Sequence, residues 1–259
     1  MIARGLGGIP SPPDPADWLL SSTAAYRAVA ADGADLGNVR LPVVGPVLDQ
    51  GGTPECVAYA LAGGKAHDEF LQLGRWPRYD AADLYRRAQA IDGIPMPHDG
   101  TTVRAALQVA VSRGLTDTVT GHRYLLGSYY NLMAEADPFL AAGAAIALGR
   151  PVYLGFDWYP DWFGDSDASG DWPGGVLPQP HGAQEGGHAV WAWGVRTAPA
   201  DLAIPTGYRG GTVRVARGER LLRTRWAWGP TAGNGHGNVD IPESLFRAVG
   251  HDLWATVDR

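Results

Sequence analysis

A chain of 259 residues with a hydrophobic fraction of 45% and a charged fraction of 19% can bury a full core, which excludes a disordered polymer and leaves room for one large domain or two lobes. A formal charge of −6 offers no general attraction for phosphate backbones, so nucleic acid is not an expected partner. No apolar run approaches the roughly 18 residues of a membrane span, and the start MIARGLGGIPSPPDPADW lacks the apolar core of a secretory signal; no membrane contact is expected, and the chain reads as soluble, without a signal peptide, cytoplasmic or particle-associated.

Residues 1–45, rich in Pro, Ala and Asp, read as an N-terminal arm with one short helix near Ala16 to Ala31, packed along the body. CVAYALAGGKAHDEFLQL, from Cys56 to Leu73, reads as a helix stopped by Gly74 and Pro77. Gly63 and Gly64 inside it each cost about 1 kcal/mol relative to Ala, so another element is expected to approach closely there. Asp80 is placed to cap a second helix that runs through Leu84 to Ala90 and ends near Gly93. Thr101 is the expected cap of a third, whose Val103, Ala106, Leu107, Ala110 and Val111 share one face, with Gly114 ending it. Asp137-Pro138 opens a fourth that reaches about Leu148.

Beyond Pro151 the texture changes to short runs of Val, Tyr, Trp and Thr between glycines, the pattern of strands and turns. Strands are predicted at 152–158, 188–195, 212–216, 221–228 and 253–257, with Arg217-Gly218-Glu219 forming a hairpin turn between the third and fourth. The chain is therefore α+β, with a helical lobe over 46–150 and a β-rich lobe over 151–259. Asp165, Asp167 and Asp171 resemble a calcium loop, but Val176 stands where the bidentate Glu is needed, so a solvated loop is expected. The histidines show no metal-ligand spacing, and neither a metal nor another cofactor is expected.

Cys56 is the single cysteine, which rules out an intrachain disulfide and leaves the thiol free for chemistry. A cysteine nucleophile needs a route to the thiolate, an acid/base partner and a donor aimed at the developing oxyanion. Cys56 at a helix start faces unpaired N–H groups that favour the thiolate. Gln50, six positions earlier in VLDQGGTPEC, can turn its amide to the same oxyanion as the Cys56 N–H. His188 follows Gly187 at the head of an apolar strand in EGGHAVWAWGV, and its distance from Cys56 falls in the roughly 130–150 residues between nucleophile and histidine in papain-type enzymes.

These residues carry a resemblance. DQGGTPECVAYA is similar to the segment of papain-like cysteine peptidases in which a Gln precedes the nucleophilic Cys by six residues, and GGHAVWAWG resembles the segment around their catalytic His. DGTTVRAAL is similar to a helix entry in bacterial members, and WAWGPTAGNGHGNVDIP resembles the Asn-Ser-Trp-Gly segment with its Gly-rich sequel. The resemblance covers residues 40 to 257. It implies a two-lobe fold, a helical lobe beside an antiparallel β-barrel-like lobe, with a polypeptide or peptide substrate in the cleft between them. It implies a bacterial or phage cysteine protease that hydrolyses peptide bonds through a Cys56/His188 pair and an acyl-enzyme, assisted by Gln50. Trp228, Trp226, Glu55 and Gly187 would then support the site or bind substrate.

Two departures stand out. Aligning Trp228-Gly229 with the family's Trp-Gly puts Trp226 where the Asn that orients the histidine belongs, and an indole cannot accept a hydrogen bond from imidazole. Asn234, Asn238 or a backbone carbonyl would have to substitute. Glu55 also sets a negative charge beside the thiol, which opposes thiolate formation. Papain-like enzymes often carry an inhibitory pro-segment; the stretch before Gln50 reads as too short for one, so control is expected to come from partners or timing. Two alternatives share these residues: a Cys/His hydrolase of cell-wall peptides, and a catalytically impaired structural or interaction module with a protein partner in a larger assembly.

Overall fold

The computed structural model describes residues 5–32, 34–163, 175–205, 212–232 and 236–259. The acidic run at Asp165, Asp167 and Asp171 lies outside these residues, as does Asn234. In chain order the first half contains β1 (Gly8–Ile9), α1 (Ala24–Ala31), β2 (Val39–Arg40), α2 (Cys56–Leu73), α3 (Ala81–Gln89), β3 (Thr101–Thr102), α4 (Val103–Arg113), β4 (Leu115–Thr116), β5 (Arg123–Tyr124), β6 (Leu126–Asn131) and α5 (Pro138–Ala147). The second half contributes β7 (Val152–Trp158), β8 (Gly186–Thr197), β9 (Leu202–Pro205), β10 (Thr212–Val215), β11 (Arg220–Arg225), β12 (Asn238–Pro242), α6 (Glu243–Val249) and β13 (Gly250–Asp258).

Helix α2 is apolar on nearly every face, and residues Cys56 to Glu69 are almost all buried, so it lies inside the protein. The two glycines are where the helix meets the sheet. A Cβ on Gly63 would stand 2.6 Å from the Trp191 indole nitrogen, and one on Gly64 would overlap the Tyr153 hydroxyl. Strand β8 carries Trp191 and is buried along eight consecutive residues, because α2 and α5 both pack on it. The main sheet has the order β12-β11-β8-β7-β13-β6, every pair antiparallel. β2 joins β8 beyond the end of β7, so the sheet draws β2 and β6 from the first half of the chain.

The caps follow the chemistry of their residues. Asp80 accepts from the Asp83 amide at the start of α3, and Asp137 accepts from the amides of Phe139 and Leu140 at the start of α5. Helix α4 is capped one residue later than expected: Thr102 accepts from Ala105, while Thr101 is drawn into β3 by pairing with β1. The expected arm helix is split, with a turn of 3-10 helix at Leu20–Ser22 and α1 capped by Thr23. The turn at Arg217-Gly218-Glu219 forms, closed by the Glu219 amide on the Ala216 carbonyl, but it does not join a hairpin: β10 pairs with β9, while β11 enters the main sheet between β12 and β8. The strand predicted to reach Trp228 ends at Arg225, where the Trp226 amide turns to the Gly237 carbonyl.

Helix α6, too short to persist alone, is held by tertiary contacts. Arg220 reaches both oxygens of Asp137 at 2.9 Å and both oxygens of Glu243 at 2.8 Å, tying α5, β11 and α6 together. Burial alone would raise the Asp137 and Glu243 carboxyls, but the Arg220 guanidinium outweighs it and holds both below their usual range. A depressed carboxyl stabilises the fold above its unfolded pKa and loses that contribution as pH falls through the folded value. Arg220→Ala is therefore expected to cost about 1–2 kcal/mol at neutral pH, with a difference that shrinks below about pH 4, as read by urea unfolding at both pH values.

Candidate active site

Cys56 is the first residue of α2 and is fully buried. Burial pushes its thiol up to about 11, against the pull of the backbone amides of Ala189, Gly7, Val57 and Cys56 itself. The helix start favours the thiolate as expected, but the missing water outweighs it. The Ala189 amide places β8, one residue past His188, at the sulfur.

His188 is also fully buried, and burial pulls its pKa down to about 3. Its ring sits 4.4 Å from that of Trp228, 5.1 Å from Trp226, 5.3 Å from Trp158 and 5.9 Å from Phe156, centre to centre. Neither ring nitrogen has a hydrogen-bond partner among the described residues. The Trp226 indole N–H donates to Thr224 Oγ1 at 2.7 Å, and Asn238 Oδ1 accepts from Arg225, so neither orients the imidazole. At neutral pH this form holds a thiol and a neutral imidazole in place of an ion pair.

Gln50 is placed by a short ladder between residues 48–50 and 227–229. Its amide donates to the Ala227 carbonyl at 2.8 Å, the Gly229 amide donates to Leu48 at 3.0 Å, and Asp49 bridges Trp228. The same ladder positions the Trp228 wall against His188. Gln50 Nε2 donates to the Thr53 carbonyl at 2.8 Å and to the Gly5 carbonyl at 3.0 Å. Glu55 stands just before the helix, half-buried; burial raises its carboxyl, opposed by a hydrogen bond from Thr53.

The Gly5 carbonyl belongs to the N-terminal arm, in the extended residues that lead into β1. Residues 5–9 cross directly over Cys56 and His188. The Gly7 amide donates to the Gly187 carbonyl at 3.0 Å, and the Gly7 carbonyl accepts from Thr101 at 2.9 Å, so one residue bridges the β-rich wall and the helical wall. β1 then runs parallel to β3. Farther on, Ser11 donates to Asp252, and Arg104 binds the Pro12 carbonyl and Asp17. The stretch before Gln50, expected to be too short for an inhibitory pro-segment, nevertheless lays residues 5–9 between the Gly187 and Thr101 backbones. Gly100, Thr53 and Pro54, with Thr101 that was expected only as a helix cap, are wall residues that the sequence does not mark as part of the site. The signal was the run Gly5-Leu6-Gly7-Gly8, three glycines in four residues at a place where no turn is made.

No protein-family model matches this chain, and no curated protein matches it in sequence. Solved structures do match in shape. Xylellain, a cysteine protease from Xylella fastidiosa, superposes with a TM-score of 0.71 at 21% identity, covering 100% of this chain and 97% of that one. Procathepsin B S9 from Trypanosoma congolense gives 0.65 at 14% identity over 99% and 86%, and digestive procathepsin L 3 of the Tenebrio molitor larval midgut gives 0.61 at 15% over 98% and 76%. The chain has the papain-like, two-lobe α+β fold of cysteine proteases. Among the described residues no helix is long and apolar enough to cross a membrane.

Proposed function

We propose that this protein is a papain-like cysteine peptidase, hydrolysing peptide bonds of a polypeptide through Cys56 and His188, held closed by its own residues 5–12. The observation that carries this reading is the Gly5 carbonyl accepting from Gln50 Nε2 at 3.0 Å: a peptide carbonyl takes the donor that the family resemblance assigns to an oxyanion. When the segment leaves, water and substrate reach the pair. Transfer of the thiol proton to His188 gives the thiolate, which attacks the scissile carbonyl carbon while Gln50 Nε2 and the Cys56 N–H hold the oxyanion. Collapse breaks the C–N bond, His188 gives its proton to the leaving amine, and a thioester remains on Cys56. A water then loses a proton to His188, attacks the thioester and releases the carboxylic acid. Trp228 shields the imidazole, and Gly187 offers its carbonyl to a substrate amide as it does to Gly7.

One observation favours a second reading. Among the described residues His188 has no orienting partner, as a non-catalytic interaction module would allow. The two separate in a chain opened by Leu6→Asp, compared with the same chain carrying His188→Ala. An active pair keeps Cys56 alkylation fast well below neutral pH, with an apparent thiol pKa near ~3–4, and loses this on removal of His188. Titration near ~8.5 in both chains would sink the peptidase mechanism.

A further inference from the structure

The gap above Cys56 is walled by backbone, not by side chains. A Cβ on Gly5 would overlap the Thr53 carbonyl oxygen, and one on Gly7 would overlap that of Pro54. A Cβ on Gly8 would stand 2.9–3.0 Å from the His188 backbone, closer than real Cβ contacts come. The opposing walls are glycine too: a side chain on Gly187 would collide with the Gly8 carbonyl, and one on Gly100 with that of Gly7. Side-chain walls could rotate away to admit a larger residue. Backbone cannot do so without a larger shift, and that of Thr53 is held by the Gln50 side chain.

A single residue, Gly7, spans this gap with its amide on Gly187 and its carbonyl on Thr101, so the spacing of the two walls is that of one extended residue lacking a side chain. Among residues 5–8 only Leu6, whose side chain leans against Gly186, carries a side chain. A peptide that takes the path of residues 5–8 threads the same gap.

We propose that the cleft selects polypeptides with a glycine pair at the residues that cross Cys56, next to an apolar residue. This rests on the peptidase reading for the cleavage but not for the binding. The Leu6→Asp chain, which clears the gap without adding a Cβ to any glycine, is offered two synthetic peptides, one with the core Gly-Leu-Gly-Gly-Ile and one with either paired glycine changed to alanine. Each is tested for hydrolysis and for protection of Cys56 against iodoacetamide.

The diglycine peptide is expected to protect at a concentration at least about 10-fold lower than the alanine peptide, and to be cleaved about 100-fold faster where cleavage occurs. Selective protection without cleavage would uphold the glycine requirement while removing the peptidase reading. Equal protection by both peptides, or protection by neither, overturns the proposal. A second variant is independent of Leu6: Gly7→Ala in the full chain should expose Cys56 to alkylation as Leu6→Asp does, and a labelling rate equal to wild type would mean that the walls yield to a methyl group, overturning the requirement.

Discussion

Leu6→Asp is expected to raise the rate of Cys56 alkylation at pH 7 by at least about 20-fold. In the closed form burial holds the thiol at about 11. Displacing the segment returns it at least to the ordinary value near ~8.5, which raises the thiolate share about 300-fold at pH 7. A less basic thiolate is a weaker nucleophile, and roughly half of that gain on a logarithmic scale is given back. Access adds to what remains, since Cys56 has no exposed surface while residues 5–9 are in place. A charged carboxylate in place of half-buried Leu6 removes the segment's apolar anchor and sets an unpaired charge in the cleft. Iodoacetamide labelling of wild type and variant, read by intact mass, decides the matter; equal rates would mean that the segment does not control the thiol.

The same closure should depend on pH, with a sign that follows from His188. Its pKa is depressed to about 3 by burial, whereas a wetted histidine titrates near ~6.5. If opening leaves the two groups unpaired, the open form binds one proton more than the closed form between these values, and closure weakens as pH falls through that window; if opening forms the thiolate–imidazolium pair, one proton only moves from Cys56 to His188 and closure is flat there until the thiolate itself is protonated. At the other end the open site loses that proton in base while the closed thiol keeps its own up to about 11, so closure weakens again. The wild-type segment is most firmly seated between these limits. Wild-type labelling, corrected for the thiolate share of a free cysteine, should pass through a minimum there.

Lys65→Ala is expected to cost about 3–5 kcal/mol of stability at pH 7. Lys65 is the only lysine in the chain and is completely buried in α2, ion-paired with Glu69 one turn along and with Asp258 at the end of β13. Asp68 lies beside them, its carboxyl raised well above the usual range by burial and by the Asp258 charge, with Lys65 as the opposing influence. Without the ammonium, two carboxylates remain in a region that water does not reach freely. They would raise each other's pKa, and a raised carboxyl costs stability above its unfolded pKa and stops doing so once protonated. The loss should therefore be largest at pH 8 and smaller near pH 5, as read by thermal or urea unfolding. Adding Glu69→Gln to Lys65→Ala should recover part of it.

Much of this was legible in local patterns. The bounds of α2 follow from an apolar run closed by Gly74, whose left-handed backbone ends the helix, and the start of α5 follows from Asp137-Pro138. Gly63 and Gly64 announced a close approach that Trp191 and Tyr153 make. By contrast, β6 reads LGSYYN, which has no strand pattern of its own and becomes a strand by pairing with β13. α6 depends on an arginine far away in sequence. Such elements are stabilised by partners that a local window does not contain.

The two-lobe α+β fold was legible in the sequence because helix caps and strand texture are local properties of the chain, and the family resemblance of the segments around Cys56 and His188 nominated these two and Gln50 as the candidate trio. Only the tertiary structure decided the state of that trio. Whether a thiol and an imidazole are ionised depends on water and on neighbours brought from elsewhere, here four aromatic rings around His188 and the amide of Gly7 at the sulfur. Residues 5–9 lie more than forty positions from Cys56, and nothing local tells a glycine run where it will fold. The close passage of three backbone segments turned it into the bar across the cleft.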